Sequence, residues 1–136
     1  MTFAIGYLAM MLYFNNQFSH QLSLQRERVW DRNACVGRRL LSNQKLLILA
    51  YGKIGFHCAV LAQKIGVEVW AMNRRAEGEG CSLFVTMEDL YGRLSEFDHV
   101  LSLYPGTKEN ERILSQRFFT SLKKGAHFYN FGRGTV

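Results

Sequence analysis

The chain has 136 residues, of which 48% are hydrophobic and 21% are charged, and it contains one proline and 12 glycines. This composition fits a single globular domain and excludes a disordered or low-complexity chain. The formal net charge is +6, but the basic residues are scattered as pairs such as Arg38 and Arg39, which favours a small anionic ligand over nucleic acid.

The first segment, residues 2–29, is predicted to form one long apolar helix, followed by a connector to residue 35. Large apolar residues recur at spacings of three and four, at Phe3, Tyr7, Met10, Met11, Phe14 and Phe18. The apolar start, "MTFAIGYLAMMLYF", is shorter than the ~20 residues of a membrane span. It also has no early positive charge of the kind that a signal peptide carries. We therefore expect this helix to pack against another domain or another chain, and we expect no membrane partner.

The cysteines point to a reducing compartment. Cys35, Cys58 and Cys81 lie far apart, and the chain has no Cys-x-x-Cys pair. Neither a zinc site nor a disulfide framework is therefore expected, and no metal is predicted. A cytoplasmic location is the expectation that fits these thiols.

Residues 36–136 show alternating strand and helix patterns. Strands are expected over residues 45–49, 67–72, 98–104 and 126–131. Helices are expected over residues 53–65, 87–94 and 116–122, with Gly66 as a stop signal and Thr86 and Ser115 as N-caps. This order predicts an α/β fold with an open parallel sheet and crossover helices, preceded by the long apolar helix.

The turn after the first predicted strand, "ILAYGKIG", has nearly the glycine pattern that binds a dinucleotide phosphate. Unpaired N–H groups and the helix dipole favour an anion at such a helix start. Gly52 would allow the close approach of the pyrophosphate, and Gly55 would let the helix lie close to the strand. Ala50 replaces the first glycine of the pattern, which mainly serves the tight turn.

The end of the second strand, "MNRR", indicates which dinucleotide is preferred. Asn73 follows Gly52 by 21 residues, near the spacing of about 20 expected for the residue that contacts the ribose. A neutral asparagine there does not repel a 2′-phosphate, and Arg74 or Arg75 could pair with it. These residues favour NADP, with NAD as a possible cofactor. The alternative is that both arginines are solvated surface charges and that NAD binds.

Four blocks of the sequence, in this order, resemble one enzyme family. They are "LLILAYGKIG", "VWAMNRR", "DHVLSLYPGTKENERIL" and "FFTSLKKGAHFYNFGRGTV". Together they resemble the D-isomer-specific 2-hydroxyacid dehydrogenases, and among these the glyoxylate/hydroxypyruvate reductases. The resemblance implies a Rossmann-like domain and hydride transfer from NAD(P)H to a small 2-keto acid, which gives a D-2-hydroxy acid.

The resemblance also assigns site residues. Arg133 matches the catalytic arginine that binds the substrate carboxylate. The implied cofactor-binding residues are Gly52, Lys53, Ile54, Gly55, Asn73, Arg74, Arg75, Tyr104, Pro105, Gly106, Phe131, Gly132 and Arg133. Within this set, Gly132 stands where the family usually has alanine.

One part of the family pattern is missing from this sequence. The catalytic histidine and glutamate of the family follow the Arg-Gly block, and neither His20, His57, His99 nor His127 matches that histidine. We therefore expect an incomplete domain that is inactive alone. The resemblance further implies a homodimer formed through the leading helix. The alternative hypothesis is a non-catalytic dinucleotide-binding or dimerisation module.

Overall fold

A computed structural model describes residues 2–135, except for the side chain of Cys35. The prediction for the Cys35 thiol, and the chain ends Met1 and Val136, lie outside the described residues. Five parallel strands form one sheet in the spatial order β3-β2-β1-β4-β5. They are β1 (Lys45–Leu49), β2 (Glu68–Met72), β3 (Leu83–Val85), β4 (His99–Ser102) and β5 (His127–Asn130). The predicted open parallel α/β sheet is confirmed.

Five α-helices accompany the sheet in the described part of the chain. They are α1 (Thr2–Asn15), α2 (Phe18–Glu27), α3 (Lys53–Lys64), α4 (Met87–Leu90) and α5 (Gln116–Ser121). Short 3-10 helices lie at Arg32–Cys35, Leu41–Asn43, Leu94–Glu96 and Lys108–Asn110. None of these described helices is long and apolar enough to span a bilayer.

The central strand β1 is buried on both faces, as expected for a parallel sheet with helices on each side. Leu46 and Ile48 pack into the layer that contains α1 and α3, whereas Leu47 and Leu49 pack into the opposite layer. All four leucine and isoleucine side chains are fully buried. The near-continuous apolar sequence of β1 follows from this two-sided burial.

The predicted helix signals are confirmed at three positions. Gly66 ends α3 with a φ of 86°, and the N–H of Val67 donates to the carbonyl of Ala62 at 3.1 Å. The side chain of Thr86 accepts from the N–H of Asp89, and Ser115 caps α5 in the same way.

The single helix predicted over residues 2–29 is wrong, because the structure has two helices there. The chain breaks at Gln17, whose φ of 54° is left-handed. The preceding Asn16 donates from Nδ2 to the carbonyl of Leu12, a local bond that competes with helix continuation. The helix α1 packs on α3 of the same chain, with Tyr7 and Met11 buried.

Two further sequence predictions differ from the structure. The helix after Thr86 extends only to Leu90, after which the chain turns into the 3-10 helix Leu94–Glu96. The strand β3 was not predicted. In the sheet formed by the described residues, β3 is the outer strand next to β2. Its three residues are too few to show an alternating pattern.

Candidate cofactor site

A cavity of about 660 Å³ opens at the carboxyl ends of the strands. Ala50 after β1, Met72 at the end of β2, Thr86 after β3 and Tyr104 after β4 all line it. From β1 the chain continues to β2 and β3 on one side of β1, and then crosses to β4 and β5 on the other side, so the switch point of the topology lies between β1 and β4. Open parallel sheets bind ligands at such a point.

The turn that enters the cavity from β1 is tight and strained. Ala50 has a φ of 57°, in the left-handed region that costs a residue with a Cβ atom free energy. The N–H of Tyr51 donates to the carbonyl of Met72 at 3.0 Å, which ties the turn to β2. Ala50 therefore adopts the conformation for which the family pattern has a glycine.

The two glycines of the turn have different surroundings. A Cβ atom on Gly52 would meet nothing within 4 Å, so this side of the turn is open. A Cβ atom on Gly55 would lie 2.9 Å from Cδ2 of Tyr51 and 3.3 Å from Cγ2 of Ile48. The spacing of α3 from β1 therefore requires a glycine at 55.

The first turn of α3 offers unpaired donors next to the cavity. The first bond of the helix joins the N–H of Phe56 to the carbonyl of Gly52 at 2.8 Å. The earlier N–H groups, including those of Lys53 and Ile54, precede the helix's own bonds. Both of these side chains are exposed. The open space and the free donors fit a pyrophosphate.

The loop after β2 contains the residues predicted to contact the ribose. Oδ1 of Asn73 accepts from the N–H groups of Arg75 and Glu77, at 3.1 and 3.4 Å, and its Nδ2 donates to the carbonyl of Glu77 at 2.7 Å. Its side chain therefore shapes the loop. Arg74 lines the cavity, whereas the exposed Arg75 lies 3.9 Å from the Glu77 carboxylate.

Two carboxylates on the cavity wall were not predicted from the sequence. They belong to Glu88 in α4 and Glu109 in the loop after β4. The pKa of Glu109 is lowered by its own backbone N–H, by the hydroxyl of Thr107 and by the charge of Arg74. Because carboxyl ends of parallel strands meet at one edge, the segments after the predicted strands were the signal that could have identified Glu109.

The segment after β4 forms another wall of the cavity. Tyr104 is buried, and burial raises the pKa of its hydroxyl to about 12. Pro105 also lines the cavity, and its carbonyl accepts from Nδ2 of Asn110 at 3.1 Å. Gly106 lies outside the lining and faces the side chain of Arg133, because a Cβ atom there would be 2.8 Å from Arg133 Cγ.

The residues after β5 lie beside the cavity. The N–H of Phe131 donates to the carbonyl of Ser102, and the N–H of Gly132 donates to Oδ1 of Asn130. A Cβ atom on Gly132 would collide with the carbonyl oxygen of Tyr104. Arg133 is exposed next to Gly106.

None of the four histidines, all within residues 2–135, lines this cavity. His99 and His127 begin β4 and β5, at the opposite edge of the sheet. His20 and His57 are exposed on helices. Across the described residues, no group of three metal-ligating side chains is close enough to hold an ion.

Comparison with known proteins identifies the family. A family profile described as "D-isomer specific 2-hydroxyacid dehydrogenase, NAD binding domain" matches residues 8–136. The chain belongs to this family. The Rossmann-like resemblance stated from the sequence is thereby confirmed.

Individual relatives agree with this assignment. The chain is 27% identical over 134 residues to a D-3-phosphoglycerate dehydrogenase of Synechocystis, which covers 95% of this chain and 23% of the relative. A solved 2-hydroxyacid dehydrogenase family protein of Aeromonas salmonicida is 26% identical, with a TM-score of 0.87, over 98% of this chain and 42% of that one. A 2-hydroxyacid dehydrogenase of Xanthobacter autotrophicus, solved with NADPH and MES, is 26% identical, with a TM-score of 0.85, over 98% of this chain and 54% of that one. The chain thus spans about a quarter of the first relative and about half of the two structures.

Proposed function

We propose that the chain is the NAD(P)-binding portion of an oxidoreductase that reduces 2-keto acids of the glyoxylate or hydroxypyruvate type to D-2-hydroxy acids. The observation that carries this proposal is the cavity at the switch point, which is entered by a glycine turn and an exposed helix start. The bound cofactor would supply the hydride. The residues of this chain would bind and orient the cofactor and the substrate.

The pyrophosphate would bind at the first turn of α3. Gly52 leaves the space, Gly55 allows the close packing of helix and strand, and Lys53 adds a positive charge. The N–H groups of Lys53 and Ile54 would donate to the phosphate oxygens. The adenosine would occupy the cavity beside Tyr104 and Pro105.

NADP is the proposed cofactor, with NAD as the alternative. Arg74 lines the cavity and would pair with a 2′-phosphate, and Arg75 is exposed close by. The carboxylates of Glu88 and Glu109 line the same cavity and would repel the 2′-phosphate of NADP. The preference therefore depends on the balance between Arg74 and these two groups.

Arg133 is the proposed substrate-binding residue. Its exposed guanidinium would form two parallel hydrogen bonds with a carboxylate, which would orient the keto group for hydride transfer. The backbone of Phe131 and Gly132 would lie beside the nicotinamide. Because none of the four histidines lines the cavity, we expect no reduction by this chain alone.

The leading helices carry the proposed dimer surface. Phe3, Ile5, Met10, Phe14, Phe18 and Leu22 are each at least 39% exposed, which is unusual for so many large apolar residues on adjacent helices. We propose that a second copy of the chain covers them.

The cytoplasmic location stays a prediction.

The proposed function is tested by titrating the chain with NADPH and with NADH in a calorimeter. We expect micromolar binding of NADPH, about tenfold weaker binding by Arg74→Ala, and no change for NADH with this variant. Lys124→Ala, exposed after α5, is the matched control for the loss of one positive charge. Binding of neither dinucleotide, with dimerisation retained, would favour the alternative of a non-catalytic interaction module.

A further inference from the structure

The loop between β2 and β3 is held in place at two points. At its start, the side chain of Asn73 makes three hydrogen bonds to the backbone of Arg75 and Glu77. Near its end, the hydroxyl of Tyr51 donates to the carbonyl of Glu79 at 2.6 Å. Arg74 lies between these two points and lines the cavity. The backbone that carries Arg74 is therefore held on both sides.

Tyr51 belongs to the turn of residues 50–52 between β1 and α3, here called the phosphate turn. Besides the loop, it contacts the start of α3 and the strand β3. Its ring packs against Gly55 on the first turn of α3, where a Cβ atom would be 2.9 Å from Cδ2. The ring also meets Phe84 of β3 edge to face, with centroids 5.2 Å apart. Burial raises the pKa of the hydroxyl to about 12. Like any tyrosine hydroxyl, it is protonated at neutral pH and can donate.

Two glycines allow the loop to pack closely against Tyr51 and the neighbouring aromatic side chains. Gly80 has a φ of 81°, and a Cβ atom there would lie 2.6 Å from Cδ2 of Phe56 and 3.2 Å from the hydroxyl of Tyr51. Gly78 has a φ of 157°, and a Cβ atom there would lie 2.7 Å from Phe84. The loop thus packs closely against the aromatic residues without room for side chains at these two positions.

A fixed loop has a direct consequence for ligand binding. A 2′-phosphate that pairs with Arg74 would have to order a free loop, at a cost in conformational entropy. The bond from Tyr51 to Glu79 limits that freedom before the ligand arrives. A dinucleotide without a 2′-phosphate would form no ion pair with Arg74, so its binding would gain less from a fixed loop.

We infer that Tyr51 is a positioning residue, which joins the phosphate turn to the loop of Arg74 and thereby increases the preference of the site for a 2′-phosphorylated dinucleotide. This inference rests on the proposed function. It assigns a role to the residue between Ala50 and Gly52 that the glycine pattern leaves open.

The test is Tyr51→Phe in the full 136-residue chain, which keeps the ring contacts and removes only the hydroxyl. We expect the affinity for NADPH to fall about threefold to tenfold, as for the loss of one hydrogen bond, and that for NADH to change by less than about twofold. Tyr13→Phe on α1, outside the cavity, is the control for removal of a phenol hydroxyl. The amides of residues 75–80 should also exchange hydrogen faster in Tyr51→Phe than in the unmodified chain, and Tyr13→Phe should show no such change.

The outcomes separate this inference from the proposed function. If the unmodified chain binds NADPH and Tyr51→Phe has an unchanged ratio of NADPH to NADH affinity, the inference is overturned and the proposed function stands. An equal loss for both dinucleotides would likewise overturn it, since Tyr51 would then support the whole turn. If the unmodified chain binds neither dinucleotide, the proposed function fails, and the specificity role fails with it.

Discussion

The two ends of the parallel strands differ in structure. At the amino ends of the strands, here called the amino edge of the sheet, side chains form buried polar contacts. At the carboxyl ends, here called the carboxyl edge, glycines and backbone groups shape the surface. At the amino edge, the carboxylate of Asp98 is 3% exposed and accepts from Arg39 at 2.8 Å, from Lys123 at 2.7 Å and from the N–H of Lys45 at 3.1 Å. Burial raises the pKa of Asp98, but the hydrogen bonds from Lys123 and Lys45 hold it below its ordinary value. This carboxylate joins the starts of β1 and β4 to flanking segments.

A second polar cluster at the same edge involves His99. Its two ring nitrogens lie 3.1 Å from the hydroxyl of Tyr129 and 2.6 Å from Oε1 of Gln44. The amide of Gln44 donates in turn to Oδ1 of Asn15 at the end of α1. Hydrogen-bonded polar groups as well as apolar packing therefore hold α1 against the sheet.

The carboxyl edge has the opposite character. Ala50 keeps a left-handed φ, Gly52 faces open space, and Gly132 touches the backbone of Tyr104. Strain and unpaired donors are tolerated where a ligand binds, because the ligand supplies the missing partners. Stability is therefore concentrated at one edge of this sheet and binding capacity at the other.

The largest expected effect is at the amino edge. Asp98→Ala should lower the free energy of unfolding by about 3 kcal/mol, since it removes a buried acceptor from three donors. Glu96→Gln, in a more exposed ion pair with Lys45, should cost less than about 1 kcal/mol. Urea unfolding measures both, and equal losses would break the distinction between buried and exposed pairs.

Low pH should lower the free energy of unfolding because His99, at the same edge, is buried in its neutral form. Burial, followed by the charge of His127, lowers the pKa of His99 from 6.5 to about 4, while Asp98 opposes and Arg39 assists the shift. The unfolded chain therefore binds the proton first, and stability is lost as the pH falls through the window between these two values.

We expect a loss of about 2 kcal/mol between about pH 7 and about pH 5, with a smaller loss in His99→Gln. The exposed His57 provides the control variant His57→Gln, which should keep the slope of the unmodified chain. A slope that is the same in all three proteins would exclude His99 as its source.

At the carboxyl edge, Gly132→Ala tests the close approach of two backbone segments. Its methyl group would collide with the carbonyl of Tyr104, so we expect a loss of about 2 kcal/mol in the free energy of unfolding. Gly134→Ala is the matched control, because a Cβ atom there meets nothing within 4 Å. If Gly132→Ala is neutral, the segments after β4 and β5 separate more easily than the structure indicates.

The smallest expected effect has the opposite sign. Ala50→Gly should raise the free energy of unfolding by about 0.5–1 kcal/mol, because glycine adopts the left-handed φ of 57° without strain. Ala62→Gly within α3 should instead lower it by about 1 kcal/mol. Thermal unfolding of both variants tests the strain, and a destabilised Ala50→Gly would show that the turn is relaxed.

The sequence predicted the parallel α/β fold, because buried strands such as β1 are apolar throughout and helix ends such as Gly66 carry local signals. It also identified the glycine turn and Arg74 beside the ends of neighbouring strands. These features depend on residues close together in the chain, so periodicity and spacing reveal them.

The features that join distant segments of the chain depend on tertiary packing. The break at Gln17 follows from amide hydrogen bonds that helical periodicity does not detect, and β3 exists through pairing with β2. The hydroxyl of Tyr51 meets the carbonyl of Glu79 across 28 residues of sequence. Such contacts have no local period, because their partners are selected by the packing of the whole sheet.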